Sequence, residues 1–275
     1  MTLTPAEMNR YSQQLNLDQI GLDGQLKLKN ARVLCIGAGG LGSALLFYLG
    51  AAGVGHIGIM DDDVIELSNL HRQILYQTSQ LGQKKVFMAH QQLSALNPDI
   101  DIALHTDKLN LNNAHELINQ YDIIADCSDN FATHYLINDV CFHLNKPYAF
   151  ASIAQFEGQC SLFLGKQGPC YRCLFPFKSS IPDCSAAGVL GVLPGLFGVI
   201  QATEIIKWIL KTGEPLAGRW LVGDLLKMQF RQFYFIQNPE CTLCILQQSV
   251  ELLSQPDLYS KSVDAVSARA VIARL

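Results

Sequence analysis

Val33-Leu34-Cys35-Ile36 runs straight into Gly37-Ala38-Gly39-Gly40-Leu41-Gly42, and a helix-forming apolar run, Ser43 to Leu49, follows. A buried strand, a glycine turn and a buried helix in immediate succession make one βα unit of a layered α/β fold. Gly37, Gly39 and Gly42 stand at G-x-G-x-x-G spacing. The first permits a tight turn, the second lets backbone approach a phosphate, and the third lets the helix close on the strand. The helix N-terminus then offers unpaired N–H groups and a partial positive charge to an anion. A second strand, His56 to Met60, ends on Asp61. Asp61 lies about 20 residues past the glycines, where a carboxylate can accept ribose hydroxyls. A nucleotide is therefore expected at this turn.

The same unit recurs along the chain. Residues 5 to 18 have helical spacing with Pro5 in the first turn, and 22 to 28 form a short helix before the first strand. Helices are expected over 84–96, stopped by Asn97-Pro98, over 114–119 and over 135–144; strands are expected over 100–105, 121–127 and 147–153. This is a doubly wound, Rossmann-like α/β order, whose ligands lie at the carboxyl ends of parallel strands. Beyond Ile153 the order changes to a strand (158–164), a helix (195–210) and two strands close enough for a hairpin (219–223 and 228–236). No linker intervenes, so a mostly parallel sheet extended by antiparallel strands is expected. Residues 1–245 then form one domain, and 246–275 a partly ordered tail.

Bulk composition narrows the function. With 49% hydrophobic and 16% charged residues, the 275-residue chain buries a large core. A net charge of −4 speaks against a nucleic-acid surface. Met1 to Pro5 shows no basic region followed by an apolar run, so no secretory leader is expected. Nine cysteines without one imply reduced thiols and metal ligands in the cytoplasm, rather than disulfides. Ser185 to Thr203 is uncharged, but its four glycines, Pro194 and Gln201 suit a loop entering a buried helix better than a membrane span.

Three groups of residues carry chemistry. Cys170-Tyr171-Arg172-Cys173 and Cys241-Thr242-Leu243-Cys244 are two CxxC pairs. Four thiolates about one tetrahedral ion leave no open position, which makes a structural site. A thioredoxin-like redox pair is the rival, but that motif opens a helix, and neither pair clearly does. Next, Asn69, Arg72 and Gln73, in an irregular polar segment, and Lys85, at the start of the helix beyond it, follow Asp61 and Asp63. Arginine and lysine suit polyphosphate, the first as a fork and the second as a point charge; Lys84-Lys85 alone would equally fit a solvated surface. Asp129, after a buried strand, is open to two readings: a magnesium ligand, or a cap for the next helix. Cys184, in the turn-like Pro182-Asp183-Cys184-Ser185, is either a buried small hydrophobe or an exposed nucleophile.

Taken in order, GAGGLG, Asp61 to Gln73 as DDDVIELSNLHRQ, Gly82-Gln83-Lys84-Lys85, Cys127-Ser128-Asp129-Asn130, CYRC and CTLC resemble the ThiF/MoeB/HesA family, and within it ThiF most. These proteins are prokaryotic relatives of the ubiquitin-activating enzymes. The resemblance covers about residues 8 to 244 and implies ATP and magnesium. It implies adenylylation of the C-terminal glycine of a ubiquitin-like sulfur carrier, ThiS-like or MoaD-like, ahead of thiocarboxylate formation in thiamin or molybdopterin biosynthesis. It places ATP on the Gly37–Gly42 turn at Gly40, the ribose on Asp61, the triphosphate on Asn69, Arg72 and Lys85 with Asp63 and Gln73 beside them, and magnesium on Asp129. The four cysteines match a structural zinc site. Cys184 matches the cysteine proposed to link to the carrier through sulfur. A homodimer is implied, with a sulfur donor in trans, since no rhodanese-like extension follows residue 244. One departure stands out. The family's N-terminal motif reads Arg-Tyr-x-Arg-Gln, and its second arginine reaches the partner subunit's triphosphate. Here the motif is Arg10-Tyr11-Ser12-Gln13-Gln14, with glutamine at the reaching position. Two rival functions are an NAD-dependent oxidoreductase, against which Arg72, Lys85 and the cysteine pairs count, and a non-catalytic binding protein of the same fold, supported by Gln13 alone.

Overall fold

Thr4 starts the first helix, α1 (Pro5–Arg10), with a capping box: its hydroxyl accepts the Glu7 N–H, and the Glu7 carboxylate accepts its own N–H. The continuous helix expected over 5 to 18 is interrupted. Tyr11 leaves helical geometry (φ −96°, ψ 12°) and is buried, its hydroxyl accepting a hydrogen bond from Asn97 at 2.9 Å. Tertiary burial of this ring overrides the local helical pattern, and a single turn, α2 (Ser12–Leu15), restarts beyond it. The computed structural model describes residues 2–176 and 188–246, with Leu253. The expectations for Cys184 and for the helix-like stretch 263–275 lie outside these residues.

From α3 (Gly21–Asn30) onward the order is β1 (Arg32–Ile36), α4 (Gly40–Ala52), β2 (His56–Met60), α5 (Lys85–Leu96), β3 (Asp101–His105), α6 (Ala114–Asn119), β4 (Ile123–Asp126), α7 (Phe131–Leu144), β5 (Tyr148–Ala154), β6 (Glu157–Phe163), α8 (Tyr171–Leu174), α9 (Leu193–Leu210), β7 (Arg219–Asp224) and β8 (Gln229–Tyr234). Residues 62–73 are irregular as expected, apart from a short 3-10 turn at Leu67–Asn69. One sheet runs β3-β2-β1-β4-β5-β6-β7-β8. Its first five strands are parallel, and β6, β7 and β8 extend it antiparallel, as the residue pattern implied.

Alternate residues of β1 enter opposite cores. Val33 and Cys35 join the layer of α4, α5 and α9, which includes Leu45, Leu49, Phe197 and Ile205. Leu34 and Ile36 join the layer of α6 and α7, which includes Ile137, Tyr148, Phe150 and Trp220. A strand covered on both faces reads as an unbroken apolar run. Among the described residues α9 is the one helix long and apolar enough to cross a membrane, but over half of it is buried within the fold. Its apolarity serves packing on α4 and β5.

The chain builds outward from β1 through β2 to β3, then returns to place β4 on the other flank of β1. Loops leaving β1 and β4 therefore diverge and leave a crevice at the carboxyl ends of the parallel strands, where ligands bind in such sheets.

Candidate active site

That crevice is a cleft of about 200 Å³. Its floor is the glycine turn. Gly37 has φ +94°, and a Cβ on it would lie 2.6 Å from the Cys127 carbonyl oxygen. A Cβ on Gly42 would lie 2.1 Å from the Gly37 carbonyl oxygen, so this glycine lets α4 close on the turn. A Cβ on Gly39 would meet only the Gln73 amide, at 3.6 Å; this is the stretch of backbone left bare to the cleft. Gly40 begins α4, whose first-turn N–H groups lack intrahelical acceptors. The Tyr76 hydroxyl, buried beneath, donates to the Ala38 carbonyl at 2.7 Å and braces the turn.

Asp61 extends from β2 and is anchored by backbone. It accepts the Ala38 N–H at 2.8 Å and the Asp63 N–H at 2.9 Å. Burial pushes its carboxyl above the usual carboxylate range, while Lys85 and these N–H groups pull it down. Lys85 is only 4% exposed, so a solvated surface role does not describe it. Its ammonium sits 2.8 Å from Asp63 and 3.8 Å from Asp61. Lys84 instead donates to the Asp62 carbonyl. Arg72 also lines the cleft, its guanidinium donating to the Ser68 carbonyl at 3.0 Å and to His71 Nε2 at 2.9 Å. Gln73 is buried, and its Oε1 has no partner among the described residues. A buried amide end left unsatisfied beside a bare glycine turn calls for a polar ligand.

Asp129 is exposed and lines the cleft three residues beyond β4. The cap of α7 is supplied by its neighbour: Asn130 accepts the Thr133 N–H at 2.9 Å. The Asp129 carboxylate is therefore not spent on the helix. Asn69 does not line the cleft; its carbonyl accepts the Arg72 and Gln73 N–H groups and shapes their turn. Asp107, Lys108 and Leu109 after β3, and Ser152 and Ile153 in β5, complete the walls. They escaped notice in the sequence, although the carboxyl-end rule for parallel strands points to both places. Tyr76 had no such signal. Arg10 and Gln13 line a separate groove with Tyr48, and Arg10 bonds to the Leu96 carbonyl and pairs with Asp99 of the same chain.

The four paired cysteines converge. Sulfur separations are 3.8 Å for Cys170 and Cys173, 3.5 Å for Cys170 and Cys241, and 3.3 Å for Cys173 and Cys244, and all four sulfurs lie within 4.8 Å of one another. Ligands about 2.3 Å from a tetrahedral ion would stand about 3.8 Å apart, so the set can hold a metal. Cys170 does precede a one-turn helix, α8, contrary to the sequence reading. Yet four sulfurs meet, not two, and none of them lines the cleft. The site joins the segment after β8 to the middle of the chain.

The ThiF family profile matches residues 11–243. The sulfur carrier protein adenylyltransferase of Thermus thermophilus is 45% identical over 252 residues, 89% of this chain and 93% of that protein. The SAMP-activating enzyme E1 of Haloferax volcanii is 42% identical over 247 residues, 89% of this chain and 91% of that one. The adenylyltransferase and sulfurtransferase MOCS3 of Culex quinquefasciatus is 46% identical over 86% of this chain, which spans 55% of its length. The crystal structure of E. coli MccB with ATP has the same fold, with a TM-score of 0.77 over 86% of this chain and 74% of that one at 24% identity. Matched by the family profile over most of its length, and more than 40% identical to such relatives, the chain belongs to the ThiF family.

Proposed function

We propose that this protein is a sulfur-carrier-protein adenylyltransferase, joining AMP from ATP to the C-terminal glycine carboxylate of a ubiquitin-like carrier, ThiS-like or MoaD-like. The observation that carries this reading is the convergence of the glycine turn, Asp61, Arg72, Lys85 and Asp129 on one cleft. The ribose hydroxyls donate to Asp61. Met60 and Leu109 give the cleft apolar walls suited to a base. The phosphates lie along the backbone of Gly39 and Gly40, at the N-terminus of α4, with the Gln73 Nε2 beside Gly39 able to donate to them; the unpartnered Oε1 can only accept, from a hydroxyl or N–H of the nucleotide. Arg72 and Lys85 neutralise the triphosphate.

The carrier carboxylate is ionised at neutral pH and needs no protein base. It attacks the α-phosphorus, the bond to the bridging oxygen of pyrophosphate breaks, and acyl-adenylate and pyrophosphate form. The chain contributes position and positive charge rather than covalent chemistry. Asp129, free of any capping role, would be a carboxylate ligand for magnesium, and the ion when bound would add positive charge beside the phosphates. Cys170, Cys173, Cys241 and Cys244 suit a structural zinc ion.

A protein substrate also fits the surface. Pairing of Asp224 with Glu157 and of Gly223 with Phe230 puts the β7–β8 turn at the same end of the sheet as the cleft. Leu226, Met228, Phe230 and neighbouring Phe156 are all exposed there, an apolar patch of the kind that marks protein contact. We assign Cys184 the step after adenylylation: its thiolate would displace AMP from the acyl-adenylate to give a carrier thioester, and sulfide-level sulfur from a donor in trans would then release the thiocarboxylate and free the thiol, on the route to thiamin or molybdopterin. The enzyme acts as a homodimer in the cytoplasm. ATP–pyrophosphate exchange tests the reading. Exchange must require a carrier with a free C-terminal Gly-Gly; exchange driven by small carboxylic acids, or none with any ThiS-like or MoaD-like carrier, sinks it.

A further inference from the structure

β4 ends on Asp126, which is fully buried. Its Oδ1 accepts the Ser128 hydroxyl at 2.6 Å and the Ser128 N–H at 3.2 Å. Its Oδ2 lies 2.8 Å from His134 Nδ1. A carboxylate oxygen accepts, so Nδ1 carries the hydrogen. The Ser128 hydroxyl hydrogen is spent on Asp126, so the 3.1 Å contact between Ser128 Oγ and Nδ1 makes that oxygen a second acceptor. His134 belongs to the first turns of α7 and is 1% exposed. Phe131, Phe150 and Tyr171 surround it at centroid distances of 6.3, 5.0 and 5.9 Å. Its Nε2 is buried with no hydrogen-bond partner among the described residues.

An apolar ring would fill this cage without stranding a nitrogen. What the imidazole adds is its grip on Asp126. The opposite face of the sheet grips the same turn. Gln201 of α9 donates to the Asp126 carbonyl at 2.8 Å and to the Ala149 carbonyl at 2.7 Å, and accepts from the Cys127 thiol at 3.2 Å. The turn so clamped carries Ser128 and Asp129 into the cleft and sets the Cys127 carbonyl against Gly37. We infer that His134 is a positioning residue for the reaction: through Asp126 it fixes the turn that presents Asp129 and supports the glycine turn. This rests on the adenylylation reading of the cleft.

The test compares His134→Ala with His134→Asn, whose amide nitrogen stands near the place of Nδ1 and can still donate to Asp126. In carrier-dependent pyrophosphate exchange, His134→Ala is expected to lower kcat about a hundredfold, with KM for ATP changed by about threefold or less. His134→Asn stays within about fivefold of wild type in kcat, by the same positioning logic. Hydrogen exchange of the 127–130 amides, read without ATP or carrier, quickens about tenfold or more in His134→Ala and not in His134→Asn. Should His134→Ala fail to fold, His134→Gln replaces it, because its longer amide mimics Nε2 rather than Nδ1. Wild-type kcat with unchanged amide exchange in the Ala or Gln variant overturns the inference. So does an Asn variant as impaired as the Ala variant. If wild type shows no carrier-dependent exchange, the adenylylation reading fails, while the amide-exchange comparison still decides the role of His134.

Discussion

Replacing Lys85 by methionine separates its ion pairing with Asp61 and Asp63 from the role proposed for it at the triphosphate. The ammonium lies 2.8 Å from the Asp63 carboxylate and 3.8 Å from that of Asp61. At an effective dielectric constant of about 20, each contact is worth roughly 4–6 kcal/mol before desolvation. Burying the ammonium offsets most of that gain. The Asp63 side chain is 66% exposed, so solvent screens its share further. The net loss of stability is therefore small, about 1–2 kcal/mol, or roughly 3–6 °C in Tm for a domain of this size. The loss of activity is not small. A cation that offsets charge on transferring or leaving phosphates is worth about a thousandfold or more. Lys85→Met is thus expected to melt a few degrees early yet lose about three orders of magnitude in pyrophosphate exchange. Lys85→Arg restores stability in part and activity poorly, because a planar fork cannot occupy the place of a point charge. The measurements are a thermal melt and initial exchange rates with saturating carrier. Exchange within about tenfold of wild type in Lys85→Met would refute the reasoning and leave Lys85 as a counter-ion for Asp61 and Asp63.

Asp129→Ala abolishes exchange but leaves stability almost unchanged, whereas Asn130→Ala costs about 1 kcal/mol as a lost cap; urea melts beside exchange assays separate the two, and the reverse pattern would return the capping role to Asp129. Cys241→Ser lowers bound zinc and stability together, since metal binding in such sites is folding free energy; a zinc-free preparation as stable as wild type, by metal analysis and melting, argues against a structural metal. Cys184→Ser keeps pyrophosphate exchange and lowers carrier thiocarboxylate, and a variant normal in both, by mass spectrometry of the carrier, makes the thiol a bystander. Burial raises the Asp61 carboxyl above its unfolded value. Its contribution to stability is therefore complete below the ordinary carboxylate pKa and is lost as pH rises through the raised one. Asp61→Asn should flatten that part of the pH–stability profile while weakening ATP binding, and a profile identical to wild type in urea melts from pH 4 to 7 would deny the shift, the window being set by about the ordinary carboxylate pKa and the rise above it.

The glycine turn, the strand from His56 to Met60, the helix over Ala114–Asn119 and the β7–β8 hairpin are all legible in the sequence, because each rests on local geometry. Period-two and helical spacing, glycine at a positive φ and short connections act within a few residues. The same local logic marks each CxxC pair as candidate metal ligands, but spacing within a pair says nothing of where the other pair lies, and it is the tertiary structure that brings the four sulfurs together. Other features depend on residues far apart in the chain. Tyr11 breaks its helix because Asn97 and Gly53 receive its side chain. Lys85 and Lys84 are adjacent and chemically identical, yet one is buried between two carboxylates and the other is bonded to a backbone carbonyl. Asp129 and Asn130 could each cap α7, and the backbone of the turn hands that role to Asn130. Asp107 to Leu109 reach the cleft because β3 lies parallel to β2 and ends at the same edge. None of these leaves a periodic trace, since burial, ion pairing and cleft lining arise between segments whose separation along the chain carries no information about their distance in space.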